Sequence, residues 1–203
     1  STGVLKVMVT RGEGKRGYSS FGCDSPNIII IAGHLPDYQS HQTNGIKLGV
    51  SNVTLGINPL TAGIKHLNRL EQVLVKQDID EQEWTDALVL DCQGYIVETS
   101  MANVFWRIGN NVYTPSLEFS GVNGLMRQQV IKTLNEQSVS QNSEWASITI
   151  IENRFILNDI LKADEVFITN CLMGIVPIIA IDNNSYQIGD ITNKLSGVLN
   201  NKE

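Results

Sequence analysis

The chain lacks any run approaching the roughly 18 consecutive apolar residues that a membrane-crossing helix needs, and this excludes a helical membrane span. It also lacks a long basic run. Lys and Arg number 15 against 21 for Asp and Glu, giving a formal charge of -6 and a pI near 5.1. Nucleic acid and anionic membranes are therefore not expected as partners. The 3 cysteines, Cys23, Cys92 and Cys171, stand far apart without CxxC spacing, so they read as reduced thiols of a cytoplasmic protein. The 3 histidines, His34, His41 and His66, show no metal-ligand spacing, and no metal is expected. Walker-type and dinucleotide glycine patterns are missing, as is the GxSxG elbow of a serine hydrolase.

What is present is 203 residues with 42% hydrophobic content, enough for one substantial core or one large domain with a fragment of another. The run "VLKVMVT" alternates like a strand, "RGEGKRGYSS" is a glycine-rich basic loop, and "NIIIIAG" reads as a buried strand. "GIKLGVSNV" is a further strand. Ile64, Leu67, Leu70, Val73 and Leu74 recur at helical spacing, which predicts an amphipathic helix over 62–74 with Lys65 at its mouth. Short strands linked by tight turns follow in "ALVLD", "IVETS", "NVFWRI" and "VYTP". "GVNGLMRQQVIKTLNEQ" is a glycine-led helix, "SITIIENRF" a strand and "LNDILKAD" a short helix. "EVFITNCLMGIVPIIAID" makes two strands with a break near residues 170–174, and "NKLSGVLNNK" closes as a helix. Strands predominate and helices punctuate them, so the fold class is α+β with a barrel-like core.

Several residues could carry chemistry. Lys65 is oddly placed, because a cation is better suited to a helix C-terminus than to its start. It is either a solvated surface amine or a reactive one, and the residues alone leave both open. Gly121 and Gly124 precede a helix whose first amides, those of Leu125 and Met126, could bind an anion. The break at Thr169, Asn170 and Cys171 could add donors to the same anion or be an ordinary connection. Glu98 lies among apolar strand residues, where a carboxylate needs a partner: a structural ion pair or a functional one. Arg11, Arg16 and Tyr18 form a loop suited to gripping carboxylates, or a solvated one. A nucleophilic lysine, an acidic partner, helix amides for a phosphate and arginines for carboxylates together match the needs of pyridoxal phosphate chemistry.

The segments "GIKHLNRLEQVL", "ALVLDCQGYIVETSMANVFW", "YTPSLEFSGVNGLMRQ" and "ADEVFITNCLMGIVPI" resemble, in order and over nearly the whole chain, the fold-type IV pyridoxal phosphate enzymes. That family holds branched-chain and D-amino acid aminotransferases and aminodeoxychorismate lyases. "RGEGKRGYS", "KHLNRLEQVL" and "NCLMGIVPI" are most similar to the lyase branch, which releases p-aminobenzoate and pyruvate from 4-amino-4-deoxychorismate in folate biosynthesis. The alternative within the fold is an aminotransferase acting on D- or branched-chain amino acids.

The resemblance implies a D-amino acid aminotransferase-like fold with a small N-terminal α/β domain and a larger pseudo-barrel domain. Residues 1–44 correspond to the C-terminal part of the small domain and 45–203 to the cofactor domain. An N-terminal segment that completes the small domain and supplies a phosphate-binding arginine is expected to be missing. Lys65 matches the lysine that carries the cofactor and acts as base, and Glu98 matches the partner of the pyridine nitrogen. Leu125 and Met126 match the phosphate-cradling amides, with Met126 standing where aminotransferases have a threonine. Asn170 and Cys171 match a second phosphate-contacting pair. Arg16 and Tyr18 match loop positions that bind a substrate carboxylate. A homodimer with sites near its interface is likewise implied.

Overall fold

Runs rich in valine, isoleucine and aromatic residues form the strands of this protein, and its longer helices are rooted by a few buried apolar side chains. A computed structural model describes residues 3–138, 145 and 147–200. The chain divides into two compact units, residues 1–37 and 38–203.

The first unit is an antiparallel ribbon of β1 (Val4–Val9) and β2 (Ile28–Gly33), in register from Val4 opposite Gly33 to Val9 opposite Ile28. The glycine-rich loop joins them. Gly12 adopts φ 89°, and a side chain there would collide with the Ser25 carbonyl. The expectation of a buried strand at "NIIIIAG" is not met: the strand forms, yet every residue of β2 is exposed. A single partner strand cannot cover both faces of an apolar run.

The second unit begins with α1 (Gln39–Asn44) and β3 (Ile46–Val50), followed by α2 (Leu70–Glu81). Strands β4 (Asp86–Leu90), β5 (Ile96–Thr99), β6 (Asn103–Ile108) and β7 (Asn111–Pro115) lead to α3 (Leu125–Ser138). Then come β8 (Thr149–Asn153), α4 (Leu157–Ile160), β9 (Glu165–Asn170), β10 (Gly174–Ile181), β11 (Asn184–Ser185) and α5 (Asp190–Leu199). The strands make a mixed nine-stranded sheet in the order β5-β4-β3-β10-β9-β6-β7-β8, with β11 on β10. The two ends of that order meet, because Tyr95 just before β5 bridges Ile156 just after β8. The sheet is thereby curled towards a barrel.

Successive residues of one strand serve different cores. Val104, Trp106, Val166, Ile168, Val176 and Ile178 belong to one cluster. Phe105, Phe167 and Ile175 point the other way, under Val130 and Leu134 of α3 and Leu195 of α5. Ala87, Val89 and Val97 receive Val75 and Ile79 of α2. Strands covered on both faces read as continuous apolar runs, as "GIVPIIAI" does. Buried Glu165 fastens α5: its carboxylate pairs with Arg107 and accepts the Thr192 N–H and hydroxyl at 2.9 and 2.7 Å.

The helix expected over 62–74 is corrected. Helix α2 starts at Leu70, and residues 61–69 are irregular. Its buried residues are Val75, Asp78 and Ile79, while the apolar stripe Ile64, Leu67, Leu70, Val73 and Leu74 is exposed. Among the described residues, no helix is long and apolar enough to cross a membrane.

Candidate active site

The site is organised by one turn, residues 120–124, between β7 and α3. Gly121 takes φ 86°, a left-handed conformation natural to glycine. A side chain there would meet Val97 at 2.6 Å and Leu117 at 2.8 Å. The bare backbone can therefore lie against β5, and the Val122 N–H donates to Glu98 Oε2 at 2.9 Å. Asn103, the first residue of β6, fixes the same turn. Its amide donates to Val122 O at 2.8 Å and its Oδ1 accepts the Gly124 N–H at 3.2 Å.

The loop bearing Lys65 is tied to that turn as well. The Gly63 N–H donates to Gly121 O at 2.9 Å, and the Asn123 N–H donates to Gly63 O at 3.0 Å. These bonds, with Gly63 at φ 78°, take the backbone out of the helical conformation. The carbonyls of Ile64 and His66, which a helix would use for its own ladder, instead accept Arg69 Nη2 and Nε at 3.3 and 2.9 Å. Lys65 thus sits in a loop five residues before the helix, and no helix-terminus field explains it.

Lys65 is exposed, yet its charge acts on Glu98, to which the 120–124 turn links its loop. Glu98 is only 7% exposed. Burial pushes its carboxyl up to about 7, against the Val122 N–H and the charges of Arg69 and Lys65, while Asp86 pushes in the same direction as burial. A carboxyl in that range can hold or release a proton near neutrality. Strand alternation could not have fixed its burial, since all of β5 is buried.

The two groups proposed for an anion lie at the same end of the sheet. The amides of Leu125 and Met126 open α3 and have no acceptor within the helix. Asn103, which holds the preceding turn, pairs with Thr169 of β9, next to Asn170. Asn170 itself is occupied by shaping its turn. Its Oδ1 accepts the N–H groups of Leu172 and Met173, both at 2.9 Å, and its amide donates to Met101 O at 3.1 Å. Cys171 is exposed and free. Arg16 and Tyr18 are exposed on the loop of the first unit.

Residues not singled out from the sequence carry much of this geometry. Arg127, buried in the first turn of α3, donates to Pro115 O at 2.9 Å and to Glu152 at 2.6 Å. Asp86 Oδ1 accepts the Ala87 and Ser100 amides at 2.8 and 3.2 Å. A cation near a helix start and an acid leading an apolar strand were the available signals. Among the described residues, the buried side-chain nitrogens and oxygens without a protein partner are His66 Nδ1, Asp86 Oδ2, Arg127 Nε and Thr169 Oγ1. His66, Arg127 and Thr169 adjoin Lys65, Met126 and Asn170 along the chain, and Asp86 acts electrostatically on Glu98. A cleft of about 550 Å³ shares His66, Arg69 and Gly121 with this region, but Lys65 and Glu98 do not line it.

The model of the class IV aminotransferase family matches residues 1–181. Aminodeoxychorismate lyase of Vibrio harveyi is 41% identical over 201 residues, covering 97% of this chain and 71% of that protein. The crystal structure of 4-amino-4-deoxychorismate lyase from Pseudomonas aeruginosa superimposes with a TM-score of 0.88 at 32% identity, covering 97% of this chain and 70% of that one. An aminotransferase from Brucella abortus, solved with pyridoxal phosphate bound, shares the fold with a TM-score of 0.77 at 24% identity, over 96% of this chain and 66% of that one. The expected fold is therefore found, and the chain belongs to the class IV aminotransferase family.

Proposed function

We propose that this protein is a pyridoxal phosphate-dependent lyase converting 4-amino-4-deoxychorismate to p-aminobenzoate and pyruvate. The observation that carries the reading is the turn 120–124, which joins the Lys65 loop to buried Glu98 and to the start of α3. The likeness to two lyases supports the choice of reaction.

The residues fit the cofactor. Lys65 would hold it through its amine, and Glu98, whose Oε2 accepts the Val122 N–H, would face the ring nitrogen. The open amides of Leu125 and Met126 suit its phosphate, with Asn170 and Cys171 on the adjoining turn. When bound, pyridoxal phosphate supplies an electron sink for the carbon that loses its proton. Glu98 would keep a proton on the ring nitrogen. The Lys65 amine would take the C4 proton of the substrate and return a proton to the departing enolpyruvate, which becomes pyruvate. Aromatisation of the remaining ring makes the step run forward. Arg16 and Tyr18 are assigned a substrate carboxylate, so Arg16→Ala should raise KM at least tenfold. An unchanged KM would remove Arg16 from the site.

Residues 1–44 as part of a small domain, 45–203 as the cofactor domain, a homodimer and a cytoplasmic setting belong to the same reading. The exposed stripe Ile64, Leu67, Leu70, Val73 and Leu74 supports an assembly that covers it, which light scattering would detect. The test of the function has two parts. Borohydride should fix pyridoxal phosphate to the peptide "GIKHLNR", and Lys65→Ala should abolish both fixation and product. Substrate should give p-aminobenzoate and pyruvate in equal amounts. Labelling at another lysine, or turnover that requires an amino-group acceptor, would overturn it.

A further inference from the structure

Lys65 sits in a loop without helical hydrogen bonds, so something must hold it. At the N-terminal side the loop is fastened through Gly63 to the 121–123 turn. At the other side it runs into α2, which Val75, Asp78 and Ile79 root in the core. Asp78 is itself anchored, accepting the Ser51 hydroxyl and the Asn52 N–H at 2.8 Å each. Between these anchors stands Arg69.

Arg69 caps the start of α2, its carbonyl accepting the Val73 N–H at 3.1 Å. Its side chain turns back over the loop. Nε donates to His66 O at 2.9 Å and Nη2 to Ile64 O at 3.3 Å, which are the carbonyls immediately before and after Lys65. A planar guanidinium can join two carbonyls in this way, whereas an ammonium is a single point of charge. The same guanidinium lies close enough to Glu98 to act on it electrostatically. Arg69 therefore connects a rooted helix, both sides of Lys65 and the neighbourhood of the buried carboxylate.

We propose that Arg69 is a positioning residue, clamping the two carbonyls that flank Lys65 and so holding the Lys65 amine beside Glu98. The inference rests on the reading of Lys65 as the cofactor lysine. It distinguishes Arg69 from a residue that merely stabilises the fold, because the clamp acts on five residues and leaves the sheet alone.

The test uses the full 203-residue chain. Hydrogen exchange of the 64–68 amides is measured alongside the rate at which pyridoxal phosphate and borohydride label Lys65. In Arg69→Ala, loss of two hydrogen bonds should slow labelling by about tenfold to a hundredfold and speed loop exchange similarly. Protection in β10 should persist, and millimolar guanidinium should restore part of the labelling rate. Arg69→Lys, which keeps the charge but not the fork, should fall between. Wild-type labelling and wild-type loop exchange in Arg69→Ala would overturn the proposal. So would equal loss of protection in β10 for both variants, which would make the role global. If Lys65 of the unaltered chain is not labelled, the functional reading fails, while loop exchange still decides whether the clamp exists.

Discussion

Strands β2 and β10 are both apolar and rich in isoleucine, yet their surroundings are opposite. Ile28, Ile29, Ile30 and Ile31 of β2 are 65%, 44%, 63% and 50% exposed, whereas Ile175, Val176 and Ile178 of β10 are 0% exposed. The difference lies in the neighbours. β10 is flanked by β3 and β9, and its residues enter the two clusters on opposite faces of the sheet. β2 has β1 alone. An apolar β-branched run thus signals extended backbone, while burial depends on what the rest of the chain lays over it.

The sharpest test of that contrast is a matched pair of truncations. Ile178→Ala should cost about 2–5 kcal/mol of unfolding free energy, read from the urea midpoint, because it opens a cavity in a closed core. A smaller loss would mean that the interior of the curled sheet is loosely packed.

Glu98 tests the sheet unit from its polar side. With its folded carboxyl near 7 against 4.5 when unfolded, the neutral form is favoured by folding. The group's contribution is fully present below about pH 4.5 and is lost as pH rises through 7. Glu98→Gln in cofactor-free protein should therefore be more stable than the unaltered chain at pH 8, by roughly 3 kcal/mol at most, and equal to it near pH 4. Denaturation at the two pH values reads the difference. A constant offset would show that the charges of Arg69 and Lys65 and the Val122 N–H outweigh burial and Asp86, so that folding does not raise the carboxyl.

The smallest effect belongs to the ribbon. Ile30→Ala, the partner of the Ile178 truncation, should change stability by no more than about 0.5 kcal/mol, since it removes exposed surface only. A cost equal to that of Ile178→Ala would reveal that β2 is covered by protein in solution.

Much of the local order was legible. The runs around Glu98, Val104, Ile151 and Ile178 read as strands and are strands, and the glycine-led segment after Ser120 is a helix. Lys65 and Glu98 stood out as a lysine and an acid in unexpected settings. The sequence pattern places the start of α2 too early because Ile64 and Leu67 continue its apolar rhythm, while a distant turn and Arg69 take the hydrogen-bonding groups that a helix would use. Asn103, Asp86 and Arg127 gave weak signals, because their partners lie far away along the chain.

Strand propensity, the glycine positions and the chemical identity of the lysine, carboxylate and arginines were determined by the sequence alone, since these depend on a residue and its near neighbours. Tertiary structure decided which apolar runs are covered, that Lys65 is loop-borne, and that Glu98 is buried with one oxygen on Val122. Those outcomes depend on contacts such as Gly63 with Gly121, Asn103 with Val122 and Tyr95 with Ile156. Each closes a loop whose ends carry no local sign of one another, so only the folded chain brings them within hydrogen-bonding distance.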